Sequence, residues 1–264
     1  MPDEAPVLIT RDGPVVRAVL NRPARRNAMN QALVDALDAL LASLKHDETA
    51  RVLVLSGAEG HFCAGLDLTE VGAPAPPEQK LAQQLARNRA TGVRFAALSA
   101  LPQVVITAVQ GSAYAGGLGF VAASDITLAS ADARFSAPEV RRGLVPAQIL
   151  PWLVRRMGRS EAARLVLQGH VMDAAEAAEA GLIHQMLPDA EALGAALGRV
   201  IADILEGAPG ALAETKALLA ALGPVASEAY AEAGAQSFAR RAASPEAEEG
   251  IATFKARRKP GWAL

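Results

Sequence analysis

An α/β fold is what this sequence predicts, and three observations carry the prediction. Runs of apolar β-formers, among them "RVLVLSG", "PQVVITAV" and "DITLAS", alternate with helical patterns over residues 1 to about 190. From about 190 the chain is Ala/Glu-rich, helical in period and without a convincing strand. At 264 residues, 51% of them hydrophobic, the chain is long enough to bury most of its apolar surface without disulfides.

The first element is a hairpin: "VLIT" and "VVRAVL" flank "RDGP", and Asp12-Gly13 is a strong turn signal. "NRPARRNAMN" follows as a polar loop, with Asn30 placed to cap the helix "QALVDALDALLASLKHD". "RVLVLSG" reads as a buried strand and "AEGHFCAGLDL" as a loop, with Gly65 near its end and Asp67 at an N-cap position. Glu78–Leu98 reads as a long helix, "PQVVITAV" as the next buried strand and Leu118–Ala123 as a short helix. "DITLAS" is a strand, and "ARFSAPEV" is an extended piece stopped by Pro138. Beyond Pro146, "ILPWLVRRMG", "SEAARLVLQG" and "DAAEAAEAG" are short helices punctuated by glycine, and "LIHQML" is a candidate last strand. Two zones result: a body over 1–190 and a helical tail over 191–264. The tail has too little of its own to build a core, so it is expected to pack on its own body or on a neighbouring subunit.

The totals exclude several classes. A net charge of −2 leaves no electrostatic footprint for nucleic acid. The single cysteine, Cys63, rules out a disulfide framework and a cysteine-rich metal site. His46, His61, His170 and His184 show no metal-ligand spacing, so no metal is expected. "MPDEAPVLIT" lacks the basic-then-apolar order of a signal peptide, and no uncharged apolar run reaches the roughly 18 residues of a membrane span. The expectation is a soluble, cytoplasmic protein without a membrane or nucleic-acid partner.

The stretch "YAGGLGF" at 114–120 asks what its glycines approach. Gly117-Leu-Gly119-Phe-Val-Ala122 fits a G-x-G-x-x-A dinucleotide fingerprint, but "VVITAV" ends eight residues before Gly117 and the following helix is barely two turns. There is no G-x-x-x-x-G-K-[ST], so a P-loop is excluded. Small residues that let a helix sit close to a sheet are one reading. A hole for a developing negative charge is another: a glycine-rich turn at a helix N-terminus exposes free N–H groups. "CAGLDL" is a second turn of that kind, and two such turns together can grip one oxygen.

"HFCAGLDL" at 61–68 and "GSAYAGGLG" at 111–119 resemble the two oxyanion-hole segments of the crotonase (enoyl-CoA hydratase/isomerase) family. "LNRPARRNAMN" at 20–30, "DITLASADARFSAPEVRRGLVP" at 125–146 and "FKARRKPGW" at 254–262 are similar to that family in the same order. The resemblance implies the ClpP-like crotonase spiral of ββα units and a C-terminal helical trimerisation region giving a homotrimer or a dimer of trimers. It implies acyl-CoA thioester substrates, with coenzyme A part of the substrate and no separate cofactor. It places the two oxyanion amides on Leu66 and Gly116. It assigns Arg25, Arg26, Ala28, Ala64, Asp67 and Leu68 to the coenzyme A site, with Arg257 reaching it from an adjacent subunit.

A hydratase of the family uses two glutamates; here the first position is Gly119 and the second is Glu139. A lone Glu139 must handle both protons of a hydration, or move one proton between carbons. Its bland reading is an ion pair with Arg141 or Arg142. Ser112 and Ser136 have no partnered histidine in the sequence, which argues against a hydrolase triad. Where hydratases of the family continue with a glycine-rich turn after Val145-Pro146, this chain has "AQILPW", so Gln148 is a candidate amide near the acyl group. The implied function is water addition to, or migration of, an enoyl-CoA double bond. The alternatives are an enoyl-CoA isomerase, a glutaconyl-type hydratase, or a crotonase-like binding protein without activity.

Overall fold

The computed structural model describes residues 5–67, 76–222 and 244–262. Its frame is a six-stranded sheet in the order β1-β2-β3-β4-β6-β9. Strands β1 (Val7–Asp12) and β2 (Val15–Leu20) form the antiparallel hairpin that Asp12-Gly13 predicts, with Gly13 at φ +52 in the turn. β3 (Val52–Gly57), β4 (Val104–Val109), β6 (Ile126–Ser130) and β9 (Gln185–Leu187) then add in parallel. Helix α1 (Gln31–Leu44), capped by the Asn30 side chain on Leu33 N–H, connects β2 to β3. Helix α2 (Pro77–Ser99) precedes β4.

Both faces of the central strands are covered, whereas β1 at the edge is largely exposed; this is why "RVLVLSG" and "PQVVITAV" read as unbroken apolar runs. Leu53 and Leu55 of β3 face the core shared with α1 and α2, whereas Val52 and Val54 face a second core closed by α6 (Ala190–Leu205). The first helix of the tail therefore packs on its own body.

A second sheet, β5-β7-β8, was legible only in part, its β7 lying within the extended "ARFSAPEV". β5 (Ser112–Tyr114), β7 (Arg134–Ser136) and β8 (Val171–Asp173) have three residues each, too few to display a period. Between them run α3 (Gly116–Ala123), a 3-10 turn at Pro138–Arg142, and α4 (Leu150–Gln168), which breaks at Gly158, where φ is +75. α5 (Ala174–Glu179) starts with a capping box between Asp173 and Glu176. α7 (Pro209–Ala221) and α8 (Pro245–Ala256) complete the described chain. Among the described residues no helix is long and apolar enough to cross a membrane.

Arg51, at the head of β3, fastens the tail to the sheet. Its guanidinium donates to the carbonyls of Leu205 (3.1 Å), Gly207 and, across the chain, Trp262 (2.8 Å). Arg51→Ala strands those carbonyls and is expected to cost about 2–3 kcal/mol, read as a lowered midpoint in thermal unfolding. An unchanged midpoint would show that the tail is held elsewhere.

Candidate active site

Three extended tracks run side by side and set the register of the site. Cys63 pairs with Ala113 and Ala113 pairs with Phe135, both in parallel. Three residues on from these partners lie Leu66, Gly116 and Pro138, and Glu139 is one further. Residues far apart in sequence thus meet at the C-terminal ends of parallel segments, where α/β proteins commonly carry their sites. Met29 forms a fourth track, its N–H donating to the Gly65 carbonyl (2.7 Å) while Asp67 N–H donates to the Met29 carbonyl (2.9 Å).

The glycines permit this approach. A Cβ on Gly65 would lie 3.0 Å from both the Ala115 Cβ and the Tyr114 carbonyl oxygen, and φ there is +93. A Cβ on Gly117 would overlap the Cys63 carbonyl, and one on Gly116 would overlap the Met29 methyl. What "AGGLG" approaches, first of all, is the backbone of "CAG". Ala115 itself stands at φ 50, ψ −116, a conformation an L-residue adopts only under constraint; its N–H is fixed on the Ser136 carbonyl at 2.9 Å.

This twist delivers the start of α3 with its first N–H free. Neither Leu66 N–H nor Gly116 N–H has a hydrogen-bond partner among the described residues. Gly116 also begins the helix and so carries the positive end of its dipole. Two fixed donors beside one another suit an oxygen that gains charge during a reaction.

Glu139 sits on the turn that follows β7, and its Oε2 is enclosed without a hydrogen-bond partner among the described residues. Burial raises its pKa above the usual carboxylate value, outweighing its own backbone N–H and the Arg142 charge, which pull the other way. The bland ion-pair reading is not what is seen: Arg141 donates to the Gln168 carbonyl at 3.1 Å instead, and Arg142 is exposed. An enclosed carboxyl with a raised pKa is the kind of group that can take a proton and return it.

Gly119 offers no room for a second carboxyl. A Cβ there would overlap the rim of the Phe95 ring and come within 2.8 Å of the Ile149 side chain. Phe95 is fully buried and stacks edge-on against Phe120, with centroids 5.3 Å apart. The volume beside residue 119 is filled with hydrocarbon.

The remaining candidates have surroundings of their own. Asp67 is buried and paired with Arg22 at 3.0 Å, a partner the sequence reading missed; whether it caps a following helix lies outside the described residues, as does Leu68. Arg22 also donates to the carbonyl of Ala28 (2.5 Å), and Ala64 N–H donates to the Arg26 carbonyl (3.0 Å). Asn27, buried at φ 55, ties the loop together: its Oδ1 accepts from Arg22 N–H, and its Nδ2 donates to the carbonyls of His61 (2.6 Å) and Ala58 (3.0 Å). Arg25 and Arg26 are exposed on that loop, and Arg257 is exposed just after α8. Cys63 is fully buried, with its thiol pushed up to about 12 by burial, in keeping with a filler.

Two expectations need correction. Gln148 does not offer its amide to the site: Nε2 donates to Asn88 at 2.7 Å and the side chain lies over Gly92 of α2. Ser112 does have a histidine beside it, with His61 Nδ1 3.3 Å from its Oγ. Among the described residues no carboxylate bonds that imidazole, so a triad is not completed. Ser136 donates instead to the His170 carbonyl at 2.8 Å.

A cleft of about 570 Å³ opens beside Leu66 between α1 and α2, within the usual range for small-molecule sites.

The family model for enoyl-CoA hydratase/isomerase matches residues 10–263. The chain is 33% identical over 255 residues to a 2,3-dehydroadipyl-CoA hydratase of Escherichia coli K12, covering 96% of this chain and 97% of that one. It is 36% identical over 177 residues to a 1,2-epoxyphenylacetyl-CoA isomerase of the same organism, covering 66% and 67%. Among solved structures it is similar to AtuE of Pseudomonas aeruginosa, with a TM-score of 0.91, 38% identity, and 98% and 100% of the two chains covered.

The raised pKa of Glu139 has a consequence for stability. Folding favours the neutral acid, so its contribution is complete below the unfolded pKa and is lost as pH rises through the folded one. Glu139→Gln cannot ionise. The variant is therefore expected to melt above the wild type at neutral pH, with the gap closing as pH falls below about 4. A gap that is independent of pH would mean that the carboxyl is not strained by burial.

Proposed function

The chain belongs to the enoyl-CoA hydratase/isomerase family, and on that premise we propose that it acts on an enoyl-CoA thioester with two backbone amides and one carboxylate. It is an enzyme of that type. In this reading the thioester oxygen lies between Leu66 N–H and Gly116 N–H. Charge that develops there as an enolate meets donors already in place, so no reorganisation is needed at the moment of reaction. Glu139, at the end of the adjacent track, takes a proton from carbon or from water and gives it back.

The observation that carries the single-carboxylate mechanism is the filled space at Gly119. A hydration needs one proton removed from water and one delivered to the α-carbon. With Phe95 and Ile149 occupying the second position, both transfers fall to Glu139. A double-bond shift makes a smaller demand: the proton that leaves one carbon is returned to another by the same oxygen. The site suits either reaction of the pair.

Coenzyme A, as part of the substrate, is assigned to the Arg25–Ala28 loop and the Ala64–Asp67 segment, whose polar backbone is cross-linked by Asn27 and Arg22. Arg25 and Arg26 are the cations for its phosphates, and Arg257 of a neighbouring copy completes the set. The chain in this reading works as a trimer or a dimer of trimers.

Glu139→Gln keeps shape and removes the base. Turnover, followed by loss of the enoyl thioester's ultraviolet band or by deuterium uptake, is expected to fall about 10²–10⁴-fold, with acyl-CoA binding little changed. A variant that keeps near-full activity would remove Glu139 from the mechanism. Light scattering at micromolar concentration is expected to give a mass of three or six chains; a monomer would sink the shared coenzyme A site.

A further inference from the structure

Adjacent helices in an α/β protein ordinarily bury an apolar stripe between them. The facing positions of α1 and α2 do not. Gln31, Val34 and Asp38 of α1 look across the 570 Å³ cleft at Ala86, Ala90 and Thr91 of α2, with Arg87 and Arg94 on the same stripe. Small residues leave the space open, and arginines give it a sign.

Arg94 is 5% exposed and is held by Asp38 through two bonds, Nε to Oδ1 (2.6 Å) and Nη2 to Oδ2 (2.7 Å). That geometry occupies one edge of the guanidinium and leaves Nη1 without a partner among the described residues. Arg87 has no side-chain partner among them at all. Among the described lining residues, two arginines stand against Asp38 and Asp67, and Asp67 is paired with Arg22 from outside the cleft, so these residues balance at one positive charge. Arg87 is exposed at the rim of the cleft and Arg94 is buried within it; a buried cation favours an anion beside it more than it would in open water.

Direction follows from topology. β2, β3 and β4 are parallel, so α1 and α2, each leading into the next strand, run the same way. Asp38 meets Arg94; Gln31 and Arg87, each one heptad earlier, therefore lie about 10 Å back along the axes, toward Met29 and Leu66. The cleft thus begins at the Leu66 amide, passes Arg87 and closes on Arg94.

We propose that this cleft receives the distal end of the acyl group and that the group ends in a carboxylate, anchored by Arg87 with the free Nη1 of Arg94. The inference rests on the acyl-CoA reading above and adds the substrate class: the thioester of a dicarboxylic acid. Arg87 and Arg94 are specificity residues here, remote from the proton transfers.

The test uses glutaryl-CoA and pentanoyl-CoA, equal in chain length and different only at the far end, with binding to the full-length protein read by calorimetry. Glutaryl-CoA is expected to bind at least about tenfold more tightly, as a charge-assisted bond requires. In Arg87→Gln the ratio of the two dissociation constants is expected to fall at least about tenfold, and Arg87→Lys should restore part of it. Equal binding of the two thioesters by the wild type overturns the proposal, as does a ratio unchanged in Arg87→Gln. A loss shared by both thioesters in Arg87→Gln, and absent with the corresponding pantetheine thioesters, would assign Arg87 to a coenzyme A phosphate and also overturn it. Turnover of the unsaturated counterparts is scored separately. A wild type that prefers glutaryl-CoA but converts no enoyl-CoA keeps this inference and removes the catalytic reading.

Discussion

The site depends on one contact, the face-to-face approach of two backbones at "CAG" and "AGG". Cβ atoms at 65 and 117 would hold the chains apart by more than a hydrogen bond allows, because the atoms they would meet are the Tyr114 and Cys63 carbonyls and the Ala115 methyl. Without them the Cys63–Ala113 bridge closes, Tyr114 N–H reaches the Cys63 carbonyl at 2.9 Å, and the register of all three tracks is fixed. That register brings Leu66, Gly116 and Glu139 to the same level. The strain in Ala115 is a consequence: the chain must leave β5 and enter α3 within one residue. A conformation of this kind costs about 1–3 kcal/mol and persists because the Ala115–Ser136 bond and the Gly65 contact hold it from both sides.

Electrostatics and packing divide the site between them. On one side lie two N–H donors without a partner among the described residues, Leu66 exposed and Gly116 half-buried, and on another an enclosed carboxyl oxygen without one; a buried polar atom left unpaired in this way is uncommon. The register sets Leu66, Gly116 and Glu139 near the ends of neighbouring tracks. On the remaining side Phe95, Ile149 and Phe120 make a wall of hydrocarbon with no vacancy at residue 119. Glu139 is itself desolvated by burial, and that raises its pKa.

Much of the frame could be read in the sequence, because it follows from local rules. The Asp12-Gly13 hairpin, the Asn30 cap, the buried runs of β3 and β4, and the glycine-punctuated helices after Pro146 each have a signal within a few residues. Of the second sheet only β7 was signalled, within the extended "ARFSAPEV"; its three-residue strands carry no period, and their pairing is decided by the Gly65–Gly117 crossing some fifty residues apart in sequence. Glu139 was found from motif order and from the apolar segment before it, but "EVRR" equally describes a surface ion pair, and which way its arginines turn is decided by tertiary contacts such as Arg141 on Gln168. The Arg22–Asp67 and His61–Ser112 pairs were missed for the same reason: nothing in a linear sequence distinguishes a partnered side chain from a solvated one. Gln148 failed differently. Its position after Pro146 suggested the acyl pocket, but Gly92 gives it a notch on α2 that it fills. The cleft was invisible because its residues, read along α2 alone, look like an ordinary polar helix face.

The side of the molecule away from the cleft explains how so exposed a set of donors stays in position. α3 is only eight residues long, too short to be stable by itself. Arg156 grips its far end, donating to the carbonyls of Val121 (3.2 Å) and Ser124 and lying 3.4 Å from His184 Nδ1, which already accepts from Thr127 N–H. Burial brings the Arg156 guanidinium down to about 10 and lowers His184 and Lys216 as well, so these groups are held at a cost in solvation. Asp125 offsets part of that cost: its carboxylate takes Lys216 of α7 at 2.6 Å and Val105 N–H of β4 at 2.8 Å. The C-terminal end of α3 is thereby tied at once to β4, α4 and the tail. A cation at a helix C-terminus also complements the dipole whose positive end lies at Gly116. Arg156 thereby holds the far end of the short helix whose first N–H is that of Gly116.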